Sequence, residues 1–202
     1  MKKETIVVAS SNKGKIREIK EIFKDYDVLS IKDMEDILGK KIVVNENKDT
    51  FKENALEKVR DLYEQVGKKY ICIADDSGIS IDVLNGFPGV HTARWLDADD
   101  HIKNLELLKK VGKAAKEKRK CHYTTVIALK SKNVEETFEC VLSGIVSNNA
   151  RGENGFGFDE IFELPNGKTL AEISTLEKLK LSPRKEALDM LNKYLKKFKT
   201  EK

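Results

Sequence analysis

Residues 70–83 constrain the fold of this chain more than any other stretch. Tyr70 to Ala74 is an apolar run of strand length, and it reads as a buried strand. Two adjacent carboxylates, Asp75 and Asp76, close it, and Ser77-Gly78 follows with the composition of a turn. Ile79, Ile81 and Val83 then alternate with polar residues, so the chain continues extended with one face buried. Acids where a buried strand meets a turn are costly to desolvate unless they are paired or bind a cation. Asp75 and Asp76 are therefore candidates for binding Mg²⁺ or activating a water. The plainer reading of Asp-Asp-Ser-Gly is turn chemistry.

The flanking elements set the fold class. Thr5 to Ser10 reads as a short strand, and Ile16, Ile19, Ile22 and Phe23 predict a helix from about Lys15 to Asp25. Asp27 to Ile31 and Ile42 to Val44 read as second and third strands. Thr50 and Glu53 have capping-box spacing, ahead of a helix with Ala55, Val59, Leu62 and Val66 on one face and Gly67 at its end. Leu105, Leu108 and Val111 mark a helix starting near Asp99 or Asp100. Tyr123 to Leu129 and Val134 to Val146 form a hairpin pattern, and Glu160 to Leu164 is a short strand. A closing helix carries Ala187, Leu188, Leu191, Tyr194, Leu195 and Phe198. A parallel-type start followed by a hairpin predicts an α/β protein with a mixed β-sheet and flanking helices, as a single domain over residues 1–202.

Composition excludes several classes. Hydrophobic residues make up 40% and charged residues 36%, so the chain is globular rather than disordered. A net charge of +4, from 38 basic and 34 acidic residues, is too balanced to indicate a stable nucleic-acid complex. Cys72, Cys121 and Cys140 lack metal-ligand spacing and read as buried reduced thiols of a cytoplasmic protein. His91, His101 and His122 are scattered, which argues against a histidine-rich metal site. No apolar run approaches a membrane span or the core of a signal peptide.

Four constellations carry candidate chemistry. Ser10-Ser11-Asn12-Lys13-Gly14-Lys15 joins the first strand to the first helix. Helix N-termini present N–H groups and a positive dipole end to phosphates, although an ordinary turn with an exposed lysine fits as well. Glu46, ahead of the capped helix, is a candidate to complete a carboxylate shell for Mg²⁺ with Asp75 or Asp76. Gly155-Phe156-Gly157-Phe158-Asp159 offers close backbone approach and a flat ring for a purine, with one of the two phenylalanines assigned to the core. Lys178 and Arg184 flank Ser182-Pro183 and supply cations suited to phosphates or a base carbonyl.

In the same order along the chain, six segments resemble the inosine triphosphate pyrophosphatase family, also called XTP/dITP diphosphatases. They are residues 10–15, 50–55, 74–78, 88–94, 155–159 and Ala171-Glu172. The resemblance implies Mg²⁺-dependent hydrolysis of ITP, dITP or XTP to a monophosphate and pyrophosphate. It also implies a two-lobed mixed α/β fold with the nucleotide in a cleft between the lobes, and a homodimer. By motif, Asp76 resembles the general base and metal-associated carboxylate, and Glu46 a metal-binding glutamate. Ser10, Ser11, Asn12, Lys13, Gly14 and Lys15 resemble the triphosphate loop. Ser77, Phe156, Gly157, Phe158, Asp159, Lys178 and Arg184 resemble substrate contacts, with Phe156 the base-stacking ring. The family reads Ser-His-Arg where this chain has Ser182-Pro183-Arg184, and proline supplies no donor to a purine. A pyrophosphatase with altered base selectivity is therefore one alternative, and the Lys-rich runs at 113–120 and 193–202 suggest another, a non-catalytic nucleotide- or RNA-binding module.

Overall fold

The computed structural model describes residues 3–200. The elements run β1 (Thr5–Val8), α1 (Lys13–Ile22), β2 (Asp27–Ser30), α2 (Ile31–Leu38), α3 (Phe51–Gln65), β3 (Ile71–Ile81), α4 (Asp100–Val111), β4 (Lys120–Lys130), β5 (Glu135–Val146), β6 (Phe162–Glu163), α5 (Thr175–Leu181) and α6 (Pro183–Thr200). The strands form one mixed sheet in the order β2-β1-β3-β4-β5-β6. β1 pairs in parallel with β2 and β3, whereas β5 and β6 are antiparallel.

The chain divides into two compact units. One comprises Met1–Asp76, Thr125–Cys140 and Arg184–Lys202, and the other Ser77–Thr124 and Val141–Pro183. In the first, strand alternation sends residues to two apolar layers. Ile6, Val8, Ile73, Ile127 and Leu129 pack with Ile19 and Phe23 and with Ala187, Leu188 and Leu191 of α6. Val7, Cys72, Ala74, Val126 and Ala128 pack on the opposite side with Met34 of α2 and Ala55, Val59 and Leu62 of α3. Both faces are thus covered by helices, as parallel strands require. In the second unit, Ile79 and Ile81 join Leu107 and Val111 of α4, Tyr123, Val146, Ile161 and Phe162 in one core. The three cysteines are buried and unpaired, as expected.

Several elements differ from the sequence expectation. Asp75, Asp76, Ser77 and Gly78 lie inside an unbroken eleven-residue strand, not at its end. Gly78 holds the strand against the turn at residues 89–92, where an added Cβ would come within 2.3 Å of Thr92 Oγ1 and 2.8 Å of the Gly89 carbonyl. The extended run stops at Ile81, and Val83 sits in a 3-10 turn. α1 begins earlier than expected, because the Asn12 side chain caps it by accepting from the N–H groups of Gly14 and Lys15. α2 was not anticipated; Ser30 ends β2 and caps α2 in a reciprocal box with Asp33.

Residues 42–44 are not a strand. They run along α3, whose side chains replace a strand ladder: Gln65 bonds Val43 and Asp61 bonds Asn45. Glu57 accepts from the Asn47 N–H, so acceptors spaced four residues apart on the helix hold the strap. The last predicted strand segment, residues 160–164, shortens to Phe162–Glu163, because Ile161 and Phe162 both donate back to the Phe158 carbonyl in a turn. The closing helix is α6, which Pro183 opens; Lys178 lies on a separate short helix, α5, and the Phe198 side chain lies outside the described residues. A proline is tolerated at that first position because its missing N–H has no helical partner there anyway.

Candidate active site

The placement of Asp75 and Asp76 within β3 decides their chemistry. Successive side chains on a strand point to opposite faces, so the two neighbouring carboxylates serve different surroundings. Asp75 turns to the side of α1 and α6. One of its oxygens pairs with the Lys15 ammonium, and Arg184 Nε donates to the other at 2.8 Å. Burial opposes ionisation of Asp75, but Arg184 and Lys15 outweigh it and hold the carboxyl well below the usual range. Arg184 also reaches Glu18 at 3.4 Å. Asp75 therefore organises two cations.

Asp76 turns to the side of α3. Lys58 Nζ lies 2.9 Å from Asp76 Oδ1, 2.8 Å from Glu46 Oε1 and 2.7 Å from the Asp75 carbonyl oxygen. Asp76 Oδ2 is buried and accepts no hydrogen bond. Burial, together with the Glu46 carboxyl, pushes Asp76 up to about 7 against the pull of Lys58. Lys58 is itself raised, since Asp76 and Glu46 overcome the cost of burying its charge. Glu46 is carried on the strap along α3. Asn54, fully buried, pins that strap by bonding both the N–H and the carbonyl of Lys48.

Lys58 was missed by sequence reasoning. Its signal was present: position 58 falls in the apolar stripe of Ala55, Val59 and Leu62, where a lysine stays buried only if paired.

In the strand–helix loop, Ser10 Oγ accepts from the Asn12 N–H and Asn12 caps α1, so both side chains shape the loop. Ser11, Lys13 and Gly14 are exposed, and Lys15 reaches inward to Asp75.

The second unit holds the other predicted residues. Phe156 is 61% exposed, with the Lys178 ammonium 4.4 Å from its ring centre. Phe158 is the core ring, edge-on to Tyr123 with centroids 4.9 Å apart. Asp159 is buried; one oxygen accepts from the Phe156 N–H at 2.8 Å and pairs with Lys178. Burial raises its carboxyl despite the opposing Lys178 charge. Asp159 thus builds the loop and orients Lys178, instead of presenting a bare acceptor. Gly155 is obligatory beside it, since a Cβ there would come within 2.0 Å of Asp159 Oδ2. Ser77, half-buried, follows Asp76 directly on β3.

The sequence profile of the Ham1 family matches residues 6–194. This chain belongs to the Ham1 family. Among its relatives, the dITP/XTP pyrophosphatase of Thermoanaerobacter sp. strain X514 is 43% identical over 98% of this chain and 99% of that protein. The dITP/XTP pyrophosphatase of Staphylococcus epidermidis strain RP62A is 37% identical over 95% and 96%. The Ham1 protein of Staphylococcus aureus superposes with a TM-score of 0.86 at 34% identity, over 96% of this chain and 98% of that one. The HAM1 protein of Coxiella burnetii gives 0.86 at 32% identity, over 96% and 99%. The α/β fold with a mixed sheet is therefore that of solved Ham1 structures. Among the described residues, no helix is long and apolar enough to cross a membrane.

Proposed function

We propose that this Ham1-family protein is a nucleoside-triphosphate pyrophosphatase that hydrolyses dITP, ITP and XTP to the monophosphate and pyrophosphate. The observation that carries the reading is the divided role of the two aspartates. Asp75 fixes Lys15 and Arg184, while Asp76 keeps an unpartnered buried oxygen beside Glu46 and Lys58.

Glu46 and Asp76 fit a divalent cation. A buried carboxylate oxygen without a hydrogen bond is a costly arrangement that a cation relieves. Among the described residues no group of three or more His, Cys, Asp or Glu forms a cage. Two carboxylates nevertheless suit Mg²⁺, which usually takes one or two protein carboxylates and completes its shell with water and substrate phosphates. A bound Mg²⁺ would supply positive charge that neutralises the triphosphate.

The remaining roles belong to the chain. Lys15 and Arg184, held by Asp75, position phosphate oxygens, and the exposed loop from Ser10 to Gly14 receives the outer phosphates. Asp76 orients the attacking water and accepts its proton. Lys58 keeps Glu46 and Asp76 together at close range despite their repulsion. Phe156 stacks on the purine, and Lys178, steadied by Asp159, donates to it. Ser77, the residue after Asp76 on β3, contributes a hydroxyl to the substrate.

A second reading, pyrophosphatase activity with relaxed base choice, is favoured by Pro183. It is buried at the start of α6 and supplies no donor where the family has histidine. Turnover of ITP, XTP, dITP, GTP and ATP, with and without Mg²⁺, tests both. High kcat/KM for the first three with Mg²⁺ alone supports the main reading, and comparable GTP or ATP values support the second. No turnover of any nucleotide overturns both. The family resemblance also implies a homodimer, which sedimentation velocity checks.

A further inference from the structure

Phe156 is an exposed ring on a fully secured backbone. Its own N–H donates to Asp159 Oδ2 at 2.8 Å, and its carbonyl accepts from the Asp159 N–H at 3.4 Å. The next peptide is held from outside the loop. The Gly157 N–H donates to Asp100 Oδ2 at 2.7 Å, and the Gly157 carbonyl accepts from Asn104 Nδ2 at 2.8 Å. Asp100 and Asn104 are four residues apart on α4, so they share one helix face. Asn104 is 1% exposed, and it also reaches Glu160 at 3.3 Å. Glu160 in turn bonds His101 Nδ1 at 2.8 Å.

Gly155 and Gly157 both adopt positive φ, at 89° and 64°, and glycines at such positions leave a loop many accessible conformations. A ring that is to meet a flat base has to be held at one height and tilt. Otherwise binding must supply the ordering of the loop.

We propose that Asp100 and Asn104 are positioning residues: α4 grips both polar groups of Gly157 and so aims the Phe156 ring at the purine. This rests on the reading of Phe156 as the stacking ring. The substrate property they govern is recognition of the base, not of the triphosphate.

The test compares ITP with inorganic tripolyphosphate, which lacks a base. Asp100→Ala removes an exposed side chain, and Asn104→Ala a buried one; circular dichroism and thermal melts show that each variant is folded. Each is expected to raise the ITP KM about fivefold, the scale of one lost hydrogen bond, with kcat within about twofold and the inhibition constant of tripolyphosphate unchanged. In a Phe156→Ala background, adding Asp100→Ala should change the ITP KM no further, since the grip acts through that ring. Three results overturn the proposal. One is an unchanged ITP KM in a folded Asp100→Ala variant. Another is equal weakening of ITP and tripolyphosphate. The third is an Asp100→Ala effect that persists undiminished without Phe156. If Phe156→Ala alone leaves the ITP KM unchanged, the stacking reading itself fails, and the positioning proposal with it.

Discussion

Replacing Asp76 with asparagine should abolish turnover and stabilise the protein at alkaline pH. Asp76 is 4% exposed, and burial shifts its carboxyl from 3.8 to about 7. The unfolded chain then releases this proton at a lower pH than the folded protein does. Between about pH 4 and pH 7 the folded state binds more protons than the unfolded state, so stability falls as pH rises through that window. Above about pH 7 the ionised carboxylate costs on the order of 4 kcal/mol relative to its neutral form. That figure already includes the attraction of Lys58, because it compares charged and neutral side chains in the same surroundings. Asp76→Asn resembles the neutral form in shape and charge. Urea denaturation in chelator-treated buffer is the assay, run from about pH 4 to pH 8. The variant and the parent should agree at the acid end, and the variant should gain up to about 4 kcal/mol at the alkaline end. A variant that is less stable at every pH would show that Asp76 is not strained by burial, and the argument that its buried oxygen is left for a cation would fall with it.

Three further outcomes follow from the geometry. Lys58→Met leaves Glu46 and Asp76 without their shared cation, so activity should drop by orders of magnitude and stability at pH 8 by about 3–5 kcal/mol, with recovery as the acids protonate at lower pH; denaturation midpoints at two pH values check this. Phe156→Ala should weaken ITP binding by about 1–3 kcal/mol while leaving the melting temperature unchanged, because the ring is 61% exposed; calorimetric titration and a thermal melt read the two effects. Gly155→Ala should lower stability by about 1–3 kcal/mol through strain at φ 89° and collision with Asp159, measured by urea denaturation.

The sequence carried the architecture where pattern and packing coincide. Strands β1, β3, β4 and β5 and helices α3 and α4 were legible because their apolar periodicity is what the three apolar clusters bury. The strap at residues 42–48 was not, since three β-branched residues in a row look like a strand, and only the helix side chains at 57, 61 and 65 reveal the other partner. Asp75-Asp76-Ser77-Gly78 looked like a turn because its residues are turn formers. Ion pairs on one face and Lys58 on the other let the acids remain within the strand. The loop carrying Phe156 was visible from its glycines, but its attachment to α4 was not, because Asp100 and Asn104 lie more than fifty residues away in sequence.

The central claim is that this chain cleaves between the α- and β-phosphates of a non-standard purine nucleotide. The most direct measurement is product identification from ITP with purified protein and Mg²⁺, by ³¹P magnetic resonance. The account predicts inosine monophosphate and pyrophosphate in equal amounts, with no orthophosphate. Inosine diphosphate with orthophosphate, or no product at all, would contradict it.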